Sequence, residues 1–256
     1  MDIKTVRSLI EINFQFYQTF AHHFSTTRKR LQPGVQRIID QMPDELNVID
    51  LGCGNGELGH SLARGGRRGV YVGLDSSSAM LKIAAKQSKV LKVKAGESES
   101  KEFKVIFLQA DLSQPNWYKE VPNLPYDFAL AFAVLHHLPG YTLRLKTLCQ
   151  VHEILKPGGY FIHSEWQFLN SPRLHARVLP WETVGLTENQ VDTGDYLLDW
   201  KQGGYGLRYV HHFNESELAQ LALKSGFKIN QNFLSDGEGS KLGLYQIWQV
   251  NSDKIN

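Results

Sequence analysis

Short apolar runs alternate with amphipathic segments through the middle of the chain. The runs at residues 47–51, 70–74, 105–108, 128–134 and 160–164 have the length of buried strands. The segments between them carry apolar residues three or four positions apart, which is the spacing of an amphipathic helix. Because strand–helix alternation places helices on both faces of a parallel sheet, the pattern predicts an α/β fold with a doubly wound, mostly parallel sheet.

The N-terminal segment predicts helices and no strand. Val6, Ile10 and Phe14 are four residues apart, which predicts a helix over residues 2–24. A second short helix is expected before the first apolar run. We interpret residues 1–45 as an N-terminal helical lid on the α/β core.

Residues 167–212 interrupt the alternation, because they are rich in aromatic residues but show no sustained period. We interpret them as an inserted cap that covers one end of a substrate pocket. Asn214 then begins a helix with a capping-box pattern, and the runs at 227–233 and 243–250 predict an antiparallel hairpin. The predicted organisation is a helical lid (1–45), a cofactor-binding α/β core (46–166), a substrate cap (167–212), and a C-terminal helix and hairpin that complete the sheet (213–256).

The composition argues against several classes of protein. The chain has 256 residues with 28 Lys plus Arg and 26 Asp plus Glu, and a net charge of +2 argues against binding nucleic acid by charge alone. Cys53 and Cys149 cannot form a metal-binding pair, and the three His-His pairs have no Glu or Cys at ligand spacing, so we expect no metal. With no long apolar run and no apolar segment after Met1, we expect a cytoplasmic protein without a membrane partner.

A glycine-rich turn follows the first predicted strand. Gly52, Gly54 and Gly56 allow the backbone to turn sharply and a ligand to approach it, and the helix that follows offers free N–H groups. The pattern also fits a dinucleotide fingerprint, since Asp75 lies where a ribose-binding acid is expected. The turn by itself is therefore compatible with either a dinucleotide or an adenosyl cofactor.

Further residues distinguish between these two cofactors. Asp50 precedes the first glycine and suits a cationic amino group better than a pyrophosphate. Asp111 ends the third strand, where it can accept a hydrogen bond from an adenine amino group. With the Lys-Pro-Gly-Gly turn at 156–159, these residues resemble the class I S-adenosylmethionine-dependent methyltransferases. The resemblance implies a seven-stranded Rossmann-like sheet, S-adenosyl-L-methionine as cofactor, and cofactor-binding positions at Asp50, Gly52, Gly54, Gly56, Asp75, Ser76, Asp111 and Leu112.

A narrower resemblance covers most of the chain. Its motifs are Phe-Ser-Thr-Thr-Arg at 24–28, Ala-Val-Leu-His-His at 133–137, Trp166, and Arg-Tyr-Val-His-His-Phe at 208–213. They resemble the tRNA wobble-uridine carboxyl methyltransferases, which methylate the carboxylate of 5-carboxymethyluridine, and whose eukaryotic members work with a small zinc-binding partner protein. The Pro-Trp-Pro of that family is Leu-Gln-Pro at 31–33, and its Ala-Leu-Glu after the Trp is replaced by a segment beginning Gln-Phe at 167–168. The resemblance implies pocket residues at Arg28, His137, Trp166 and Arg208.

The chemistry of the acceptor gives these residues distinct roles. A carboxylate is ionised at neutral pH and needs no base, but it needs a cation that holds it in position, for which a planar guanidinium is suited. Arg28 and Arg208 are expected to approach each other across the pocket for this purpose. A phenol or an amine would instead require a proton acceptor, for which His137 is the candidate.

Several functions remain open at this point. The acceptor is either tRNA or a small molecule, and in the second case the enzyme is an O- or N-methyltransferase that uses His137 as base. An NAD-dependent oxidoreductase is a second alternative, but it does not require Asp111 or the Lys-Pro-Gly-Gly turn. A cofactor-binding subunit without catalysis is the third alternative, against which the intact glycine loop and both acids argue.

Overall fold

The structure of the protein is a computed structural model, which describes residues 1–27, 30–95 and 103–251. Of the predicted pocket residues, Arg28 lies outside these described ranges. Helices α1 to α7 span Ile3–Thr26, Pro33–Ile39, Glu57–Arg64, Ser78–Ala95, Tyr141–Ile154, Pro172–His175 and Glu215–Lys224. Strands β1 to β10 span Glu45–Leu51, Arg68–Asp75, Phe103–Gln109, Tyr126–Phe132, Leu155–Trp166, Val178–Leu179, Asp195–Trp200, Gly206–His211, Phe227–Ser235 and Gly243–Val250.

Seven of the described strands form one sheet in the order β3-β2-β1-β4-β5-β10-β9. The first five are parallel to one another, and β10 is antiparallel to both of its neighbours. The predicted doubly wound, mostly parallel sheet is therefore confirmed. The order of the strands reverses between β1 and β4, and open α/β sheets bind ligands at such a switch point, beyond the carboxyl ends of the strands.

The central strands are apolar on both faces because helices cover both sides of the sheet. Val48 and Ile49 are neighbours on β1, so their side chains point to opposite faces, and both are fully buried. Val48 packs in the cluster of α2 and α3, whereas Ile49 packs in the cluster that includes α5 and α7. A strand buried in this way appears in the sequence as a continuous apolar run.

The segment at 167–212 contains regular structure that the sequence pattern did not predict. Strands β6, β7 and β8 form a separate three-stranded antiparallel sheet. Leu197 on β7 packs with Leu9 of α1, whereas its neighbour Leu198 packs with Phe168 on the other side. Because β7 is buried on both faces, it lacks the alternation of polar and apolar residues by which an antiparallel strand is recognised.

The described helices include none that combines the length and the apolar character needed to cross a membrane.

Candidate active site

A cavity of about 740 Å³ opens at the carboxyl ends of β1, β2, β4 and β5. Its size is that of a pocket for a small molecule. Residues of α1, of the loop after β9 and of the separate sheet complete its wall. The predicted site residues that line it are Asp50, Gly52, Gly54, Asp75, Ser76, Asp111, Leu112, His137, Trp166 and Arg208.

The glycine loop between β1 and α3 takes a backbone conformation that side chains disfavour. Gly52 and Gly54 have φ of 67° and 56°, in the left-handed region. A Cβ on Gly52 would lie 2.7 Å from a methyl carbon of Val134, so the loop also passes too close to the segment after β4 for any side chain. Gly56 does not line the cavity; a Cβ there would lie 2.5 Å from the ring of Phe107, which indicates a role in packing α3 on the sheet.

Asp75 holds the glycine loop in position. Its Oδ2 accepts the N–H of Gly54 at 2.8 Å, and its Oδ1 accepts the N–H of Ser77 at 2.8 Å. Burial raises the pKa of Asp75, and the two backbone hydrogen bonds act in the opposite direction. A carboxylate has about four acceptor positions, so after these two bonds Asp75 can still accept from the hydroxyl groups of a ribose.

Asp50 is a desolvated carboxyl group beside the glycine loop. The hydroxyl of Tyr71 donates a hydrogen bond to its Oδ2. Burial raises the pKa of Asp50 to about 7, and the negative charge of Asp75 adds to that rise. A cationic amino group would restore the ionised form, whereas a pyrophosphate would oppose it. The residues at this end of the cavity therefore fit a cofactor with a cationic amino group better than a dinucleotide.

Asp111 closes the loop after β3 on the same side of the cavity. Its Oδ1 accepts the N–H of Ser113 at 2.9 Å, and its Oδ2 accepts the side-chain amide of Gln114 at 3.0 Å. These bonds hold the carboxylate beside Leu112, whose side chain is almost fully buried. An acid next to an apolar side chain suits an adenine ring, which offers an amino donor and an apolar face.

His137 sits at the other end of the cavity, where α1 meets β8. Its Nδ1 lies 3.1 Å from the carbonyl of Tyr209, which assigns the proton to that nitrogen, and its Nε2 then accepts the hydroxyl of Tyr17 at 2.8 Å. Burial lowers the pKa of His137 to about 4, and the charge of Arg208 contributes. His137 is therefore neutral at physiological pH, with its accepting nitrogen hydrogen-bonded.

Arg208 brings a buried cation to this end of the cavity. Its side chain projects from β8, and the residue is 6% exposed. The central guanidinium carbon lies 5.0 Å from the ring of Phe16 and 5.1 Å from each of the rings of Trp166 and Trp200. Aromatic faces stabilise a cation without neutralising it. An anionic group that enters the cavity would therefore find a positive charge in dry surroundings.

Two residues of α1 belong to this end of the site but were absent from the sequence prediction. Tyr17 donates to His137, and Asn13 joins α1 to β8 because its Oδ1 accepts the N–H of Tyr209 at 2.9 Å. Asn13 is buried, and the two residues are four positions apart on one face of the helix. A buried amide within an apolar stripe was the signal that could have identified them.

His136 and His211, each from one of the His-His pairs, and the buried His163 contact carboxyl groups. His136 and His163 both contact the buried carboxyl group of Glu165, at 3.1 and 2.9 Å. His211 lies between Asp195 at 2.7 Å and Glu217 at 2.8 Å. Within the described ranges, no group of three His, Cys, Asp or Glu residues is arranged to hold a metal ion.

The buried state of His137 predicts a pH effect on stability. Its pKa is about 4 in the folded protein and about 6.5 in the unfolded chain, so between these values the unfolded state binds more protons. Lowering the pH from 7 to 5 should therefore remove about 2 kcal/mol of unfolding free energy through this residue. Urea unfolding of wild type and His137→Gln at both pH values tests this: the variant should lose less stability, and an identical loss in both proteins would contradict it.

Known proteins that this chain resembles in sequence are methyltransferases. The sequence model of a family described as "Methyltransferase domain" matches residues 20–232. A tRNA (carboxymethyluridine(34)-5-O)-methyltransferase of Arabidopsis thaliana is 28% identical over 174 residues, which are 64% of this chain but only 36% of that protein. The Schizosaccharomyces pombe protein of the same name is 28% identical over 226 residues, which are 84% of this chain and 88% of that one.

Solved structures share the fold. A SAM-dependent methyltransferase of Methanosarcina mazei matches with a TM-score of 0.66 at 24% identity, over 87% of this chain and 99% of that chain. A methyltransferase solved as a complex with the Haloferax volcanii Trm112 methyltransferase activator matches with a TM-score of 0.64 at 14% identity, over 95% of this chain and 99% of that one.

Proposed function

The chain belongs to the class I S-adenosylmethionine-dependent methyltransferases, and on that premise we propose that it methylates the carboxylate of 5-carboxymethyluridine at the wobble position of a tRNA. The observation that carries this proposal is the buried cation of Arg208 beside a neutral His137 in one cavity. Arg208 can hold a carboxylate. His137 has little capacity to take a proton from another kind of methyl acceptor, such as a phenol or an amine.

In this proposal the glycine loop and the three acids each bind a different part of the cofactor. Gly52 and Gly54 allow its methionine part to lie against the backbone, and Asp50 would pair with its amino group. Asp75 would accept from the ribose hydroxyls and Asp111 from the adenine amino group. S-adenosylmethionine, when bound, supplies a methyl group that is already activated by a positively charged sulfur.

A carboxylate acceptor suits the opposite end of the cavity. Arg208 would bind and orient the carboxylate, while the rings of Trp166 and Phe16 exclude water from it. No proton has to be removed, because a carboxylate is ionised at neutral pH. A phenol or an amine would need a base, and His137 is a weak one because its pKa is about 4. A small-molecule O- or N-methyltransferase with His137 as base is therefore the less favoured alternative.

The relatives support a wobble-uridine acceptor. The Arabidopsis thaliana and Schizosaccharomyces pombe relatives are both named for carboxymethyluridine-34 of tRNA, and the second matches this chain over most of its length. We also propose that Arg28, a pocket residue implied by the family resemblance, is a second cation that holds the carboxylate. In this proposal residues 167–212 act as the substrate cap, and the N-terminal helices act as a lid.

The product of the reaction distinguishes the acceptors. The enzyme and cofactor labelled in the methyl group are incubated with anticodon stem-loops that carry 5-carboxymethyluridine, uridine or 5-carbamoylmethyluridine. We expect label only in the first RNA, and because a methyl ester is hydrolysed by mild alkali, the label should be released as methanol. Label that resists alkali, or label in the carbamoyl RNA, would show an ether or an N-methyl product and contradict the proposal.

A small activating protein is proposed as a partner. The Haloferax volcanii neighbour was solved with a methyltransferase activator. If this chain requires one, the purified chain alone should methylate the stem-loop much more slowly than the same chain in a cell extract. Copurification of a small protein with a tagged chain tests the partner directly, and full activity of the pure chain would exclude the requirement.

A further inference from the structure

One end of the separate β6-β7-β8 sheet is basic. We call this end the cap tip, which comprises residues 171–177 and the turn between β7 and β8 at 201–205. These segments contain Arg173, Arg177 and Lys201 but no Asp or Glu. They lie side by side, because the carbonyl of Arg177 accepts the N–H of Asp199 at 3.1 Å, just before the turn.

The acidic residues of the same sheet cancel only part of this charge. Asp199 is the nearest acid to the turn, and it pairs with both Arg177 at 2.8 Å and Lys201 at 3.1 Å. The acidic loop that contains Glu188 and Asp192 leads into the start of β7, at the opposite end of that strand. Three cations against the single Asp199 leave the cap tip with a net positive charge, which would attract a polyanion.

The cap tip also exposes an aromatic ring on a well-supported turn. Tyr205 is 62% exposed, which is unusual for a large side chain in this protein. The turn rests on α1, because a Cβ on Gly203 would lie 2.3 Å from the imidazole of His23. The indole N–H of Trp200 donates to the carbonyl of Gln202 at 2.6 Å. An exposed ring on a fixed turn is a platform on which an unpaired base can stack.

The cap tip lies next to the acceptor end of the cavity. The ring of Trp200, which directly precedes the turn, lies 5.1 Å from the guanidinium of Arg208 and 6.3 Å from the ring of Phe24. Arg208 and Phe24 both line the cavity. A nucleotide adjacent to one held in the cavity is therefore within reach of the cap tip.

We propose that the cap tip binds the single-stranded RNA that flanks the acceptor nucleotide. Tyr205 stacks on a neighbouring base, and Arg173 and Lys201 contact phosphates. This rests on the proposed function, in that the acceptor nucleotide belongs to an RNA loop. A near-neutral chain then holds RNA through a local surface, which its net charge does not reveal.

Binding is measured without methyl transfer, by fluorescence anisotropy of a labelled anticodon stem-loop that carries 5-carboxymethyluridine. Tyr205→Ala should weaken binding about tenfold. Lys201→Ala should lower the slope of log affinity against log salt by about 0.7, the value for one contact with single-stranded RNA. Leu223→Ala and Lys228→Ala are the matched controls, because both residues are exposed on elements away from the cap tip.

Methylation of the free nucleoside 5-carboxymethyluridine separates this inference from the proposed function. With S-adenosylmethionine, Tyr205→Ala should methylate the nucleoside as wild type does, while its KM for the stem-loop rises about tenfold. If all variants bind the stem-loop as tightly as wild type does, the RNA surface lies elsewhere and the inference is overturned. If wild type methylates neither acceptor, alone or in a cell extract that supplies an activating protein, the proposed function fails, and the binding result still decides on the cap tip.

Discussion

Replacing Arg208 by Lys should lower the turnover of methyl transfer by roughly ten- to a hundredfold, which corresponds to about 1.4–2.7 kcal/mol of transition-state positioning. Lysine keeps the charge but not the planar fork that binds both oxygens of a carboxylate. It also interacts less well with the rings of Trp166 and Trp200, on which the guanidinium lies. Steady-state rates with the stem-loop and calorimetry with S-adenosylhomocysteine measure the two effects separately, and the affinity for the cofactor product should change little.

Arg68→Lys is the matched control for this substitution. Arg68 begins β2 at the amino end of the sheet, where its side chain is about half exposed and pairs with Glu45 at 3.7 Å. The same chemical change there should leave turnover unaltered. Equal turnover in wild type and Arg208→Lys would show that the carboxylate is not held by this residue. The alternative with His137 as base would then be the better account of the site.

Replacing Asp75 by Ala should weaken the binding of S-adenosylhomocysteine by about 1–3 kcal/mol, or roughly 5- to 150-fold. The variant loses the acceptor for the ribose hydroxyls, and it also loses the group that accepts the N–H of Gly54. Because both losses affect the same end of the cavity, the affinity should fall while the carboxylate end remains intact. Isothermal titration calorimetry measures the change.

Asp44→Ala provides the control for the loss of an acid. Asp44 lies just before β1, where its exposed side chain pairs with Arg67 at 2.6 Å. Its replacement should not alter cofactor affinity. Asp75→Asn, which keeps one acceptor oxygen, should fall between wild type and the alanine variant. Wild-type affinity in Asp75→Ala would contradict the placement of the ribose at this residue.

Much of the cofactor end of the site could be predicted from the sequence because it is built from local segments. The glycines of the loop after β1 are needed for backbone conformations with positive φ, which is a property of the chain itself. The spacing of Gly54 and Asp75 predicted that they serve one ligand, and the structure joins them by a hydrogen bond of 2.8 Å. The last strand, predicted at 243–250, has these bounds in the structure.

The acceptor end could be predicted only in part, because its contacts join residues that are distant in the sequence. Tyr17 and His137 are 120 positions apart, and no local pattern pairs them. The rings around Arg208 come from α1, β5 and β7, and only one of them, Trp166, was predicted as a site residue. The surroundings of His137 also alter its chemistry, since burial lowers its pKa to about 4 and makes it a weak base.

Local sequence patterns were enough to predict the alternation of strands and helices, the doubly wound sheet and the position of the glycine loop, because hydrophobic periodicity and backbone conformation depend on neighbouring residues. Long-range packing was needed to reveal the second sheet in residues 167–212, since β7 is buried on both faces and shows no alternation. It also decided which aromatic rings surround Arg208 and which hydroxyl contacts His137. Burial and long-range packing determine the charge of a side chain and the residues that it contacts, and local sequence spacing predicts neither of them.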